Sequence, residues 1–507
     1  MDKIIVSNRA AVTTKYGSAG VAKIKAAVAD LIAADAKRGV KSRLVYLDDA
    51  VAMKSFKGRA VTDASSPRQN KEAIDAIFRA ADPSYLMILG APDVVPHQDM
   101  SNPAFAPPDD DPDKYAYGDL PYACDTPYSR DIATFKGPTR VVGRLPDLTK
   151  KTASPAYLIS LLGIAEKFKS RDVADYGKYF GLSTFSWRKS TELSLTNTFG
   201  NHAALTIAPP GGPTHPAARL APLAHFINCH GGAADPNFYG EKGNSQPISL
   251  TSDGIAKKIK PGTVAAVECC YGAELYDSVT LALPLPICQQ YLIQGAYGYF
   301  GSSTIAYGPA DSNGAADLIT QYFLLAVLDG ASVGRAALTA RQQFVAQTGE
   351  LDPMDLKTLA QFSLLGDPSV VPAIVPSATT IPKSADTEQS KREDRRARRA
   401  KLRNVGAMLQ ETKPTASKKS GKVRKSETVS KALRNIAREA GIGTKKEFTA
   451  FDVKTPKGAR PRGSKAVPVA SRYYIAVYRP KIDYLRVAAV AKEVGGRIVG
   501  YRIYTEK

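Results

Sequence analysis

Two stretches of the chain, residues 226–232 (FINCHGG) and residues 264–272 (VAAVECCYG), decide how the rest of the sequence is interpreted. Each begins as an apolar run typical of a buried strand and then reaches a reactive side chain followed closely by glycine. The first stretch contains His230 and the second contains Cys270. A thiol becomes a useful nucleophile when a neighbouring imidazole raises its thiolate fraction. The two stretches together predict a cysteine hydrolase, and among such enzymes they favour a peptidase.

Helical and strand patterns alternate along most of the chain. A helical face over residues 21–39 precedes a strand at 43–47, and a later helical segment precedes a buried type of strand at 85–90. In the second half, strands predicted at 223–229 and 263–269 carry the two motifs at their carboxyl ends, where open α/β sheets bind ligands. The alternation predicts an α/β fold with a doubly wound, mostly parallel sheet flanked by helices.

Residues 101–138 interrupt this alternation. They are rich in Pro, Asp and Tyr and lack periodicity, so we expect a long surface loop there. The acidic run 109–113 lacks the spacing and the glycine of a calcium-binding loop, so we expect solvated carboxylates. The other histidines show no ligand spacing with the cysteines, and we predict neither a metal site nor a cofactor.

The positive charge is confined to one end of the sequence. The formal net charge is +21 over 507 residues. Residues 391–507 hold 32 of the 69 lysines and arginines but only 10 of the 48 acidic residues, a net charge of +22. The residues before them carry a net charge of −1, so the basic segment is expected to be a separate module.

Composition and periodicity predict several domains, and the basic segment supplies two of them. Residues 376–470 contain few large apolar residues and should be largely disordered, with one helical island at 429–440. The residues after them alternate strand, apolar helix around 485–494, and strand, which predicts a small β-α-β unit. The predicted domains are an N-terminal α/β subdomain (1–180), a catalytic subdomain that carries both motifs (181–375), the basic linker (376–470) and the β-α-β unit (471–507).

The sequence also bears on the cellular compartment. It contains no apolar stretch long enough for a secretory signal or a membrane span. The five cysteines are odd in number and lack the spacing of a disulfide framework, which favours a reducing compartment. We therefore expect a cytoplasmic protein that does not bind membranes.

The order and context of the two motifs resemble those of the caspase-like cysteine peptidases, the clan of caspases, legumain and clostripain, and most closely the gingipain family. Residues 228–232 (NCHGG) correspond to the His-Gly motif of that clan, and residues 268–272 (ECCYG) correspond to its x-Ala-Cys-x-Gly motif, with Cys269 in the alanine place. The likeness covers roughly residues 80–372, and its further matches are 85–90 (YLMILG), 94–96 (VVP), 118–120 (GDL), 142–146 (VGRLP), 299–304 (YFGSST) and 364–369 (LLGDPS).

The resemblance implies roles for individual residues. Cys270 would be the nucleophile and His230 the general base and acid, while the backbone N–H groups of Gly231 and Cys270 would form the oxyanion hole. Cys269 is the alternative nucleophile if the strand ends one residue earlier. The substrate implied is a protein or peptide.

Glu268 lies two residues before Cys270, and positions two apart in a strand share a face. In caspase-like enzymes that cleave after Arg or Lys, an acidic residue at this place lines the specificity pocket. The resemblance therefore implies cleavage after basic residues, selected by a charge-assisted pair with the buried carboxylate. A structural role for Glu268 is the alternative.

The basic run at 392–403 has three interpretations. Its arginines could contact phosphates of a nucleic acid or another acidic partner, without sequence preference. They could belong to a solvated linker, or they could be a built-in substrate that the enzyme cuts, so that it processes its own tail. A different class of function is also open: a catalytically silent caspase-like core that carries a nucleic-acid-binding tail.

Overall fold

The computed structural model describes residues 1–107, 110–150, 154–376, 388–421, 423–444, 446–456, 471–479 and 485–507. The strands are β1 (Lys3–Ser7), β2 (Ser42–Tyr46), β3 (Tyr85–Leu89), β4 (Gln98–Ser101), β5 (Tyr115–Gly118), β6 (Val142–Leu145), β7 (Arg171–Asp172), β8 (Tyr179–Thr184), β9 (Leu205–Ala208), β10 (Ala224–Asn228), β11 (His230–Gly231), β12 (Asn237–Tyr239), β13 (Ile248–Thr251), β14 (Val264–Val267), β15 (Gly298–Ser302), β16 (Tyr307–Gly308), β17 (Phe362–Leu365), β18 (Ala373–Ile374), β19 (Thr415–Lys419), β20 (Thr449–Lys454), β21 (Ser471–Tyr478), β22 (Val487–Val494) and β23 (Arg497–Glu506).

The helices are α1 (Arg9–Lys37), α2 (Ala50–Ser55), α3 (Pro67–Ala81), α4 (Ala156–Lys167), α5 (Arg188–Phe199), α6 (Ser252–Ile255), α7 (Ser278–Leu281), α8 (Ile287–Ile293), α9 (Ala316–Leu328), α10 (Val333–Gln347), α11 (Pro353–Gln361), α12 (Glu388–Thr412) and α13 (Glu427–Glu439). Within the described part of the chain, no helix has both the length and the hydropathy that crossing a bilayer requires.

A ten-stranded sheet forms the centre of the molecule, in the order β2-β1-β3-β6-β17-β15-β14-β10-β8-β9. Its neighbouring strands run parallel, except that β15 and β17 are antiparallel, with Tyr299 opposite Leu365. The expected α/β fold with a mostly parallel sheet and flanking helices is confirmed. Strand β1, which lies between β2 and β3 in the sheet, was not predicted from the sequence.

Side chains of the central strands alternate between two apolar cores. On β10, Ile227 belongs to the first core and Phe226 to the second. Helices α1, α4 and α8 contribute to the first core, and α9, α10 and α11 contribute to the second. The alternation continues past the end of β14, because Cys269 belongs to the first core and Cys270 to the second. The two adjacent thiols therefore lie on opposite sides of the sheet.

The long surface loop expected at 101–138 is only partly correct. The segment contains strand β5, which pairs antiparallel with β4, and two short 3-10 helices, Leu120–Ala123 and Ile132–Phe135. The apolar side chains of both 3-10 helices are buried. The pattern escaped detection because elements of four residues are too short to show a period.

The expectation of a largely disordered segment at 376–470 is wrong for its described parts. These parts hold helix α12, strands β19 and β20, and helix α13, of which only α13 coincides with the expected island at 429–440. Residues 377–387, 422, 445 and 457–470 lie outside the described residues. The composition of this segment predicts disorder because its apolar residues are few. Those residues are ordered because they pack against the body of the protein.

The expected β-α-β unit at the end of the chain is also wrong, because the apolar run around 485–494 is strand β22. It pairs antiparallel with β21 and β23 in a six-stranded sheet of order β16-β23-β22-β21-β20-β19, which we call the tail sheet. On β22, Ala488 and Val490 join the second core of the body, while Ala489 and Ala491 pack under α13. Because both faces are buried, the run lacks the alternation that marks a strand.

The four domain boundaries stay predictions. The boundary proposed between residues 180 and 181 falls inside β8, and the tail sheet shares the second core with the body through Tyr473, Ile475 and Val477.

A buried ion pair joins β6 to the loop after β5. Arg144 is fully buried, and its Nε and Nη2 donate to the two carboxylate oxygens of Asp119 at 2.9 and 2.6 Å. Burial alone would raise the pKa of Asp119, but the Arg144 guanidinium outweighs it and lowers the pKa. Stability from this pair is therefore present at neutral pH and is lost as the pH falls through the lowered value.

We expect Arg144→Met to lower the free energy of unfolding by about 3–5 kcal/mol, because it leaves the Asp119 carboxylate buried without its guanidinium. Urea unfolding followed by circular dichroism measures the change. The matched control is Lys189→Met, which removes an ion pair with Asp311 in which both side chains are mostly exposed, and it should leave stability unchanged. Equal losses in the two variants would contradict the assigned role of the Arg144 pair.

Candidate active site

The ends of β10 and β14 bring the two motifs together. These strands are parallel neighbours with Ile227 opposite Val267, so the residues that follow each strand emerge at the same edge of the sheet. The turns also touch: a Cβ atom on Gly231 would lie 2.0 Å from the carbonyl oxygen of Cys270. Glycine at position 231 is therefore required for the close approach of the histidine turn and the cysteine turn.

His230 is buried and held on two sides. Its Nε2 lies 3.2 Å from Oε2 of Glu241, and its ring meets the Trp187 ring edge-on at 4.4 Å between centroids. Burial favours a raised pKa for Glu241, but hydrogen bonds from His230 and Ser186 outweigh it and lower the pKa. An ionised carboxylate accepts a hydrogen bond from the Nε2–H group and leaves the Nδ1 lone pair for chemistry.

Cys270 is fully buried in this structure. Its Sγ accepts a hydrogen bond from the Ala306 N–H at 3.2 Å and donates one to the Ala306 carbonyl oxygen at 3.4 Å. Burial, followed by the nearby Glu506 carboxylate, raises the pKa of the Cys270 thiol well above its ordinary value. The nucleophile expected from sequence is therefore a protonated thiol in this state.

Cys269, the alternative nucleophile, has different surroundings. It packs in the first core, where its Sγ accepts the backbone N–H of Cys229 at 3.4 Å. Burial raises the pKa of this thiol as well. Cys270 belongs instead to the second core, to which helix α9 contributes, and Glu268 accepts a hydrogen bond from Thr320 of that helix. The geometry therefore favours Cys270 for chemistry beside Glu268.

Glu268 lies in a buried polar pocket formed with Asn228 and Asp317, which we call the acidic pocket. Glu268 Oε2 and Asp317 Oδ1 each accept a hydrogen bond from Nζ of Lys507 at 2.7 Å, and Asn228 Oδ1 accepts a third at 3.2 Å. Both carboxylates and the Lys507 side chain are fully buried. The sequence analysis anticipated the acidic character of this site through Glu268 alone.

The sequence analysis missed Asp317, although a signal for it existed. Helix α9 has the sequence ADLITQYFLLAVL, in which Asp317 and Thr320 are three residues apart and so share one face of an apolar helix. Thr320 Oγ1 donates to Glu268 Oε1 at 3.3 Å. Two polar residues on the buried face of such a helix indicate a polar partner inside the protein. Nothing in the sequence pairs them with Lys507, which is 190 residues away from Asp317.

The charge balance of the acidic pocket depends on a cation, because two buried carboxylates face each other there and share one ammonium group. Burial and the neighbouring Asp317 raise the pKa of Glu268, and Lys507 only partly offsets them. Burial alone would lower the pKa of Lys507, but the two carboxylates outweigh it and raise the pKa. Asp317 Oδ2 is buried without a hydrogen-bond partner among the described residues. An empty, dry pocket would therefore carry uncompensated negative charge.

Residues 505–507, which we call the terminal segment, approach the two motifs as an added strand. The Lys507 N–H donates to the Ala306 carbonyl oxygen at 3.0 Å, and the Cys270 N–H donates to the main-chain oxygen of Lys507 at 2.9 Å. Thr505 and Glu506 continue the antiparallel pairing opposite Gly308 and Tyr307. Strand addition of this kind is how many proteins bind extended peptides.

Gly308 and Trp187 form the walls along the Lys507 side chain. A Cβ atom on Gly308 would lie 2.1 Å from Cε of Lys507, so only glycine leaves room for the aliphatic stem. The Lys507 Nζ lies 5.2 Å from the centre of the Trp187 ring, and the Trp187 Nε1 donates to Thr505 Oγ1 at 3.0 Å. Trp187 therefore contacts His230, Lys507 and Thr505.

Asp111 and Asp113 of the acidic run support the loops around Cys270, which corrects the expectation of solvated carboxylates for these two residues, while Asp109 lies outside the described residues. Asp111 is fully buried and accepts hydrogen bonds from Lys357 Nζ and Tyr307 Oη at 2.8 and 2.9 Å. Asp113 accepts from Tyr271 Oη at 2.8 Å and from the Ile305 N–H at 2.9 Å. Their partners are more than 150 residues away in sequence, so no local pattern could reveal them.

Two further expectations concern metals and the basic run. Among the residues that the structure describes, no group of three or more His, Cys, Asp or Glu side chains is placed to hold a metal ion. The run at 392–403 belongs to helix α12, where Arg399 donates to the Asp82 carbonyl oxygen and Arg403 lies 3.3 Å from the Asp82 carboxylate. Self-processing in this run, and binding of nucleic acid or an acidic partner by residues 391–507, stay predictions.

Comparisons with known proteins find similarity at the level of structure only. No protein-family model matches the chain, and no curated protein matches it. Among solved structures, one described as "Structure of Protease" is similar over 100% of this chain and 97% of its own, with 13% sequence identity and a TM-score of 0.47. Because residue roles do not transfer at such identity, function has to be argued from the side chains of the site.

We expect Gly231→Ala to lower the free energy of unfolding by about 1–3 kcal/mol, because the new methyl group collides with the Cys270 carbonyl and separates the two turns. Urea unfolding measures the loss. The control is Gly163→Ala in helix α4, where a Cβ atom meets nothing within 4 Å, and it should stabilise the helix by up to about 1 kcal/mol. A neutral Gly231→Ala variant would mean that the turns are not in contact.

Proposed function

We propose that this protein is a cysteine endopeptidase that cleaves peptide bonds after basic residues, with lysine preferred over arginine. One observation carries the proposal. Lys507 has its ammonium group in the acidic pocket while its main-chain oxygen accepts the Cys270 N–H at 2.9 Å. This is the arrangement that a substrate residue needs if its carbonyl carbon is to react with the adjacent thiol.

In the proposed reaction, His230 accepts the thiol proton of Cys270 through Nδ1, and the resulting thiolate attacks the carbonyl carbon of the scissile bond. Glu241 holds His230 through Nε2 and stabilises the imidazolium that forms. The imidazolium then gives its proton to the leaving amine, which leaves a thioester on Cys270. Water, deprotonated by His230, hydrolyses the thioester and restores the thiol, so that the products are a carboxylate and an amine.

The negative charge that develops on the scissile oxygen needs fixed donors. The Cys270 N–H is the first candidate, because it already donates to a main-chain oxygen in the substrate position. The Gly231 N–H is the second candidate that the resemblance implies, and contact between the two turns supports it. Backbone donors of this kind favour the transition state because they require no reorganisation during the reaction.

The acidic pocket supports a preference for lysine. Three acceptors surround one compact ammonium group, and each lies 3.2 Å or less from Nζ. The planar guanidinium of arginine is larger and presents its donors in a rigid fork. Arginine would have to displace Asn228 or shift along the narrow path beside Gly308, where the Lys507 stem already leaves no room for a methyl group.

The identity of the nucleophile is tested with a peptidyl chloromethyl ketone that ends in lysine. We expect this reagent to attach to Cys270, so that Cys270→Ala abolishes labelling while Cys269→Ala retains it, as read by intact mass and peptide mapping. Because Lys507 occupies the same pocket, Lys507→Ala is labelled in parallel with the wild-type chain. Labelling of Cys269, or the absence of labelling in every chain including Lys507→Ala, would contradict the proposed function.

The selectivity of the acidic pocket is tested with fluorogenic peptides that end in Lys, Arg, Asp or Leu. We expect kcat/KM to be highest for the lysine peptide, and Glu268→Gln and Asp317→Asn each to reduce it by about ten- to hundredfold, because each removes one charge-assisted bond to the ammonium. The control is Glu192→Gln, a change on the surface of α5 beside Arg188. Equal turnover of all four peptides would contradict selection by the pocket.

A further inference from the structure

The terminal segment fills each contact that the proposed substrate would use. The Lys507 ammonium group neutralises the acidic pocket, and the Lys507 main-chain oxygen accepts the hydrogen bond of the Cys270 N–H. The Lys507 N–H donates to the Ala306 carbonyl oxygen, and Thr505 accepts the hydrogen bond of the Trp187 indole. A substrate peptide therefore has no free position at this site while residues 505–507 remain in place.

We propose that residues 505–507 are a built-in, substrate-like inhibitor of this site, and that the enzyme acts on other chains only when this segment leaves. The proposal rests on the peptidase function above and adds its regulation. The segment inhibits by occupying the pocket and the oxyanion donor. It differs from the expected self-processing, which concerned residues 392–403 on another part of the chain.

The tail sheet holds the terminal segment in the site. Glu506 accepts from the guanidinium and the backbone N–H of Arg486, at 2.5 and 2.9 Å. Tyr504 Oη donates to Asp352 at 2.8 Å, at the start of helix α11. These bonds keep the end of β23 beside the site, so the effective concentration of the terminal segment at the acidic pocket is high.

The same geometry makes the segment separable from its anchor. The pairing of β23 with β22 runs from Arg497 to Thr505, so the terminal segment contributes only the last pair of that ladder. Residues 497–504 keep their partners on β22 when the segment detaches. Opening therefore costs the contacts within the site, the pairing with β16 and the bonds between Glu506 and Arg486, while the rest of the tail sheet stays paired.

The state of the Cys270 thiol is consistent with this inhibition. Burial is the first cause of its raised pKa and the Glu506 carboxylate is the second, and Glu506 belongs to the terminal segment. Departure of the segment removes this carboxylate. The change favours the thiolate that the reaction needs.

Trp187 provides a readout that does not depend on catalysis. It is the only tryptophan in the chain, and it is fully buried between His230 and the terminal segment. Removal of Lys507 and Thr505 from its ring exposes the indole to water, which shifts tryptophan emission to longer wavelength. Fluorescence therefore reports the position of the segment in any variant, whether or not that variant is active.

The experiment compares full-length Lys507→Ala and Thr505→Ala with the wild type. Labelling of Cys270 by the lysine-ended chloromethyl ketone should be about tenfold faster or more in Lys507→Ala, because the charge-assisted bonds that favour the closed state are lost. Thr505→Ala, which keeps the ammonium but loses the indole bond, should give an intermediate rate. Lys492→Ala is the matched control, since this lysine lies in the same sheet but pairs with Glu350. Only the first two variants should show red-shifted Trp187 emission.

Adding the segment back as a peptide completes the test. Tyr-Thr-Glu-Lys should slow labelling of Lys507→Ala and reverse its emission shift, whereas Tyr-Thr-Glu-Glu should do neither. Wild-type labelling rates and unchanged emission in both variants would overturn the inhibitory role and leave the peptidase intact. Emission shifts with no labelling of any variant would overturn the peptidase, and the inhibition with it.

Discussion

Two carboxylates buried side by side, Glu268 and Asp317, set the constraint on which the arrangement of this molecule depends. Neither can stay ionised in a dry interior without a cation, and the chain supplies one from Lys507. The three groups come from the central sheet, the helical layer and the tail sheet. Each layer is therefore fixed relative to the others by a contact made between charges, in addition to the shared apolar core. A hydrophobic contact alone would not fix the position of Lys507 as closely as these hydrogen bonds do.

Parallel strands explain why the two motifs lie at one edge of the sheet. The chain leaves β10 and β14 at the same edge, so the turns that carry the histidine and the cysteine become neighbours through topology. Smaller features add to this topology: a glycine that lets two turns touch, a glutamate that contacts the histidine, and aspartates that support the loop beyond the cysteine. Only the glycine was visible in the sequence as part of a motif.

The sequence predicted what depends on local periodicity and failed where partners are distant. Strands β3, β10 and β14 and the shared face of Glu268 and Cys270 follow from the period of two. Asp317 and Lys507 were missed because Lys507 contacts partners that are distant in sequence; Lys507 and Glu268 are 239 residues apart. Glu241 was missed because its contact with His230 depends on the pairing of β11 with β12. The expectation of a helix at β22 is wrong because both faces of this strand are buried, so its sequence lacks the alternation of apolar and polar residues. The basic segment is ordered because it packs against the body of the protein.

The separation of Asp317 and Lys507 by 190 residues also has a meaning in time. A ribosome adds residues in order, and domains commonly fold as they emerge. At about 5–20 residues per second, the pocket lining exists for about 10–40 s before its own lysine has been synthesised. During that interval the nascent protein carries two facing acids with no internal counter-charge, and it has to tolerate them by protonation, by hydration or by borrowing a cation from its surroundings. During synthesis the acidic pocket therefore exists for a time without Lys507.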